Sequence, residues 1–173
     1  MKRLLLVLAL ALTGCGYALA GRGSSLPPNI KIIGVPQFTN RSTIPGIDQV
    51  ITDAVRAELI GRGRYTIQPD ANGADAVLTG TINNVSQSVA AYTPAHQASR
   101  LAITGSVNVE FKDLKANKVL WSNPSVPFRE EYDITSGTTA NDPAAFLTGD
   151  RSALERLAKN IARSIVTSIL EAF

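Results

Sequence analysis

The chain has 173 residues, of which 45% are hydrophobic, 18% charged and 6% aromatic, too apolar for a disordered chain and of a length suited to one domain. One Cys and one His exclude an intramolecular disulfide and the usual zinc sites. The formal charge of +3 includes Lys2 and Arg3 of a removable segment, and without them 15 basic and 14 acidic side chains leave +1, so charge makes no case for a nucleic-acid partner.

Residues 1–15 read MKRLLLVLALALTGC. Lys2 and Arg3 precede an unbroken apolar run of nine residues, Leu4 to Leu12, which is too short to span roughly 30 Å of hydrocarbon. That pattern is a secretory signal, residues 1–14. It closes on Leu12-Thr13-Gly14-Cys15, an aliphatic residue, two small ones and Cys, the pattern of a bacterial lipobox. Cys15 is therefore the expected lipidation site, its thiol taking diacylglycerol and its amine an acyl chain such as palmitate. More than one chain gives stable membrane attachment. Gly16 follows the Cys where an Asp would resemble an inner-membrane retention signal, so the expected address is the outer membrane, periplasmic face.

Residues 15–29 read as a flexible tether containing Gly16, Gly21, Gly23, Ser24, Ser25, Pro27 and Pro28, and residues 30–173 as one domain. Ile30 to Phe38 is nearly continuous in apolar character, a covered strand. Thr39 to Gly46 reads as a polar loop. Ile47, Val50, Ile51, Ala54, Val55 and Leu59 recur at helical spacing, with Gly61 and Gly63 to end the helix. Tyr65 to Gln68 is a short strand.

Two long β segments follow. In Ala76 to Tyr92 the apolar parity switches between Leu78/Ile82 and Val85/Val89, which predicts a bulge near Asn83-Asn84. Leu101, Ile103, Val107, Val109 and Phe111 alternate with polar or small residues, a strand with one buried and one wet face. Val119 to Tyr132, interrupted by Pro124 and Pro127, reads as an edge or bent strand. Trp121 is expected in the core or against a partner. Ile134 to Gly149 is a polar loop. Ser152 and Glu155 have capping-box spacing before a strong helical stripe from Leu154 to Leu170. The expected fold is α/β (α+β): a two-layer sandwich, with a four- to five-stranded mixed sheet covered on one face by two helices.

In this order the segments resemble the lipopolysaccharide-assembly lipoprotein family, LptE. The resemblance rests on Cys15-Gly16-Tyr17 with Leu19, Gly21 and Gly23, on Leu26-Pro27, on the run IKIIGVPQFTNRS and on Pro45-Gly46. Ala74 to Gly80 and the last helix with Leu154 and Leu157 extend it. The resemblance implies an outer-membrane lipoprotein that sits inside a large β-barrel translocon (LptD-like), helps it assemble and handles lipopolysaccharide. The segment Ile30 to Gln68 also resembles generic periplasmic α/β domains, curli-secretion-type channel subunits among them. That alternative is a self-assembling envelope or secretion-channel lipoprotein without a lipid ligand.

No catalytic set is visible. His96 is the sole histidine and sits in a connection beside Pro94, and there is no G-x-S-x-G, so no enzyme activity, cofactor or metal is expected. A lipopolysaccharide ligand presents phosphates next to acyl chains and calls for Arg or Lys beside aromatic surface. Tyr92, His96 and Arg100, flanking the connection between the two long strands in otherwise uncharged surroundings, are the candidate binding residues. Lys112, Lys115 and Lys118 at the next turn read as solubilising. So do Arg151, Arg156, Lys159 and Arg163 on the last helix.

Overall fold

A computed structural model describes residues 26–133 and 151–173. The signal segment, Cys15, the tether up to Ser25 and the loop from Ile134 lie outside the described residues. The elements run β1 (Ile32–Gly34), β2 (Thr39–Asn40), α1 (Ile47–Gly61), β3 (Thr66–Gln68), β4 (Ala76–Tyr92), β5 (Ala98–Asp113), β6 (Lys118–Asp133) and α2 (Arg151–Leu170). They form one mixed sheet in the order β3-β1-β4-β5-β6, with β2 added to β4. The β1 strand pairs parallel with β3 and β4, and β2 pairs parallel with β4. Strands β4, β5 and β6 form an antiparallel meander.

The expected class, a mixed sheet carrying two helices, is the observed one. The sheet has six strands rather than four to five, because Thr39-Asn40, expected in a loop, pairs with Thr81-Ile82. The first strand is also shorter than expected. Pro36 has no N–H to give a ladder, and the Val35 carbonyl is taken by Arg56 at 3.0 and 2.7 Å, so the chain leaves the sheet after Gly34. Val35 and Phe38 stay buried without being strand residues. Leu26, read with the tether by composition, is 4% exposed, and its N–H reaches the Tyr65 hydroxyl at 3.2 Å.

The parity switch in β4 corresponds to a bulge. Asn83 faces Ser106 and Ser86 faces Thr104, so one extra residue sits on β4, and Asn84 has φ 45°. The bulge keeps Leu78 and Ile82 before it, and Val89 after it, on the helix side with Val107 and Leu101 opposite. A second irregularity, at Pro124, bends the edge strand β6. Two glycines accept aromatic rings on the core face. A Cβ on Gly80 would lie 2.4 Å from the Phe38 ring, and one on Gly105 would lie 2.4 Å from Phe128.

Helix α1 starts after Gly46, whose φ of 76° lies in the left-handed region open to glycine. Ile47, Ile51, Val55 and Leu59 face the sheet. In α2, Leu157, Ala158, Ile161, Ile165, Val166 and Ile169 are all at most 2% exposed. Ser152 lies within the helix, where its hydroxyl accepts from Arg156 at 3.2 Å. The helices run parallel, with Val50 and Ala54 near Glu155 and Ala158, and Arg62 beside Thr167.

Candidate functional site

Strand length sets the functional geometry. The 17 residues of β4 extend about 55 Å, while the 20 residues of α2 rise only about 30 Å. Leu101, Ile103 and Tyr132 are still buried and β6 ends at Asp133 opposite Arg100, so it is the end of the β4–β5 hairpin, beyond that pair, that projects. Its stem is held on the helix side by Glu130, 14% exposed, which accepts from Arg156 at 3.0 Å and Asn160 at 3.4 Å. Gln87 donates to the Tyr132 hydroxyl across the same face.

At the distal tip, Tyr92 ends β4 and is 65% exposed. His96 has φ 58° in the turn, and its N–H donates to the Thr93 carbonyl at 2.9 Å. Arg100 is not in the turn. It sits in β5, opposite Ala91 on one side and Asp133 on the other. Its Nε donates to Asp133 at 2.9 Å, and Glu131 lies 4.0 Å from Nη1. The Asp133 carboxylate raises the guanidinium above its ordinary range, through the hydrogen bond first and its charge second. The expected uncharged surroundings of Arg100 are thus corrected: two acids of β6 face it. Their period-2 spacing, Arg129, Glu131 and Asp133, was visible in the sequence, but only the β5–β6 register brings them to Arg100.

The other candidate cations divide. Lys115 is engaged by Asp75, whereas Lys112 and Lys118 have no acidic partner among the described residues. Asp75 also accepts the N–H groups of Lys31 and Ile32, each at 2.9 Å, and the Lys115 ammonium with these N–H groups holds its carboxyl far below the usual carboxylate range. Asp113 caps the β5–β6 turn through the Ala116 N–H at 2.8 Å and accepts from Asn29 at 3.0 Å, so its pKa is lowered as well. This buried acidic pair ties the beginning of the domain to the sheet. The sequence reading missed it, although Ala74-Asp75-Ala76, an acid inside an apolar run, was the available signal. Arg156 pairs with Glu130, and Lys159 and Arg163 line a groove of about 360 Å³ floored by Ala54, Ala57 and Ala158. The side chain of Arg151 lies outside the described residues. Trp121 is half-buried against the core cluster.

These features define a class: a two-layer α+β domain whose sheet outruns its helices as a projecting hairpin. The chain belongs to the lipopolysaccharide-assembly family LptE, whose family model matches residues 30–169. It is a family of bacterial envelope lipoproteins without enzymatic activity. No curated protein matches the chain. Among solved structures, a lipoprotein candidate from Caulobacter crescentus is similar at 17% identity and TM-score 0.51, over 80% of this chain and 87% of that one. A protein from Chlamydia trachomatis is similar at 12% identity and TM-score 0.52, over 82% and 96%. A PelC dodecamer subunit from Paraburkholderia phytofirmans is similar at 18% identity and TM-score 0.51, over 87% and 95%. At these identities the likeness is one of fold.

Proposed function

We propose that this protein is an outer-membrane lipoprotein, held on the periplasmic face by acyl chains on Cys15, that partners a large LptD-like β-barrel in the assembly and export of lipopolysaccharide and meets the glycolipid at its distal tip. The family supports the partner and the cargo. The observation that carries the tip is the projecting hairpin itself. An antiparallel meander satisfies its own backbone hydrogen bonds without help from the helix layer, so it can enter a barrel lumen as a preformed finger.

The chemistry at the tip is an exchange. Tyr92 offers an exposed ring to acyl chain or sugar, and Arg100 offers its guanidinium to a lipid A phosphate in competition with Asp133. His96, displayed by the turn, adds a second polar contact.

The test compares wild type with Arg100→Glu and Asp133→Asn for lipopolysaccharide binding and for co-purification of the barrel. Arg100→Glu is expected to weaken glycolipid binding about ten- to a hundredfold. Asp133→Asn is expected to tighten it, because the competing carboxylate is gone. Barrel co-purification should survive both changes, since a broad interface rests on its hot spots. Equal glycolipid binding by all three proteins would remove the tip from the site. The likeness in fold to a PelC dodecamer favours a second reading, a self-assembling secretion-channel subunit. Ring-shaped homo-oligomers without any barrel would promote it.

A further inference from the structure

The two edges of the long-stranded part of the sheet differ in chemistry. On one side the sheet ends at β6, which carries Pro124 and Pro127 followed by Arg129, Glu130, Glu131 and Asp133. Prolines and charges of this kind keep an open edge from pairing with another chain. On the other side β4 is covered by β1 at Ala76 and Val77 and by β2 at Thr81 and Ile82. Beyond Ile82 it meets no further strand on that side among the described residues. The whole of β4 contains neither a charge nor a proline. Its open half therefore presents backbone N–H and C=O groups with nothing to turn a partner strand away. The nearest charge along this edge is Arg41, whose N–H takes the Ile82 carbonyl at 3.0 Å.

The sequence of that open half has a symmetry of its own. Val85-Ser86-Gln87-Ser88-Val89 reads the same in both directions. Register irregularities bound it at either end, between Asn83 and Ser86 and between Val89 and Ala91. Val85 and Val89 pack partly against the core cluster and Gln87 donates to the Tyr132 hydroxyl, whereas Ser86 and Ser88 are exposed on the opposite face. An antiparallel copy of this strand, placed about a two-fold axis at Gln87, sets Val85 opposite Val89, Ser86 opposite Ser88 and Gln87 opposite Gln87. Apolar then meets apolar and hydroxyl meets hydroxyl, both favourable cross-strand pairs. A slip by one residue sets a valine against a serine instead.

We propose that the open edge of β4 is a self-pairing surface, through which two copies of this chain join antiparallel at Val85–Val89 into one continuous sheet. The palindrome argues for a second copy over a foreign strand, because every position finds its own kind only when the sequence meets itself. The assembly stops at two. It uses one edge per copy and leaves outside only the protected β6 and the three-residue β3. Five residue pairs make a weak contact, and copies held in one leaflet by acyl chains on Cys15 supply the effective concentration it needs. Pairing doubles the sheet that would enter a barrel lumen, so it belongs to copies that have not yet met their barrel. There it covers an edge otherwise open to aggregation. The inference stands on β4 and not on the glycolipid reading.

The experiment places single cysteines in the lipidated full chain, in phosphatidylethanolamine vesicles containing phosphatidylglycerol and without barrel, and repeats the measurement in free solution. Oxidation should join Gln87→Cys to itself, because residues directly opposite stand about 5 Å apart at Cα, within disulfide reach. Val85→Cys mixed with Val89→Cys should give more 85–89 bond than 85–85 bond, since 85 and its own mate lie about 13 Å apart along the strands. Tyr92→Cys, about 33 Å from its mate, sets the background. Peptide mass assigns each bond, so a bond through Cys15 is not counted. Adding Ser86→Lys and Ser88→Lys, both at exposed positions, sets like charges opposite one another and should lower the 87–87 yield at least about tenfold. Mixing that chain with one carrying Ser86→Glu and Ser88→Glu should restore the yield as a heterodimer. Thermal unfolding like that of wild type would show that the charged variants are folded, and the uncharged cysteine variants decide the matter without them. An 87–87 yield no higher than the position-92 background, equal 85–85 and 85–89 yields, or a bond that forms only when the barrel is added would overturn the inference.

Discussion

Asp75 does the work of several residues at one position. Its carboxylate closes two backbone N–H groups of the strand that begins the domain and receives an ammonium that reaches in from solvent, Lys115 being 67% exposed. The two partners are therefore unequal. Removing Lys115 breaks an ion pair whose cation is free to hydrate, whereas removing the carboxylate leaves the Lys31 and Ile32 donors without their acceptor. Because the folded pKa lies below the unfolded value of about 3.9, the stabilisation is complete above that pH and is lost as pH falls through the folded value. Asp75→Asn should thus unfold at lower denaturant than wild type at pH 7, with the gap narrowing below about pH 4. Denaturant midpoints at pH 7 and pH 3 check this, and a gap constant across that range would refute it. Gly80 is constrained by shape instead. Its missing Cβ is the space filled by the Phe38 ring, so Gly80→Ala should cost about 1–3 kcal/mol in urea unfolding. The loss should shrink in a Phe38→Leu background, because the two positions share one contact.

Among the elements, α2 was the easiest to read and β1 with β2 the hardest. The α2 stripe repeats over 20 residues, and burial follows it, with Leu157 at 1%, Ile161 at 2% and Ile165 at 0% exposure. Truncating any of these to Ala should cost about 2–5 kcal/mol, measured by chemical denaturation. Losses below about 0.5 kcal/mol at all three would mean that the helix contributes no core. The β4 bulge was equally legible, since an extra residue must flip the alternation of every side chain beyond it. By contrast, Ile30 to Phe38 is uniformly apolar, and such a run does not reveal where ladder pairing stops. Its boundary comes from the guanidinium of Arg56, which takes the Val35 carbonyl from 21 residues away. The two-residue β2 has no period of its own and exists because β4 has a free edge beside it.

For the whole molecule, the proposed function places glycolipid contact at the tip of the β4–β5 hairpin and a lipid anchor on the segment that precedes the domain. The anchor is the simplest part to test. Cys15→Ala should block acylation and leave the signal uncleaved by the lipoprotein peptidase, read by mass spectrometry of the N-terminal peptide. An unmodified thiol in wild type would sink the anchor reading. Local spacing alone determined a good deal: the lipobox pattern, two amphipathic helices, the period-2 strand, the bulge and the family resemblance over the domain. Helical and strand periods are written in neighbouring residues, and burial follows them. The tertiary structure decided what meets across the chain. It set Arg100 against Asp133, turned Asp75 and Asp113 inward and drew Leu26 into the core. Those outcomes depend on strand register and on loops closed over tens of residues. Neither leaves a repeat in the sequence, because the contacts they create join positions whose neighbours along the chain carry no trace of the partner.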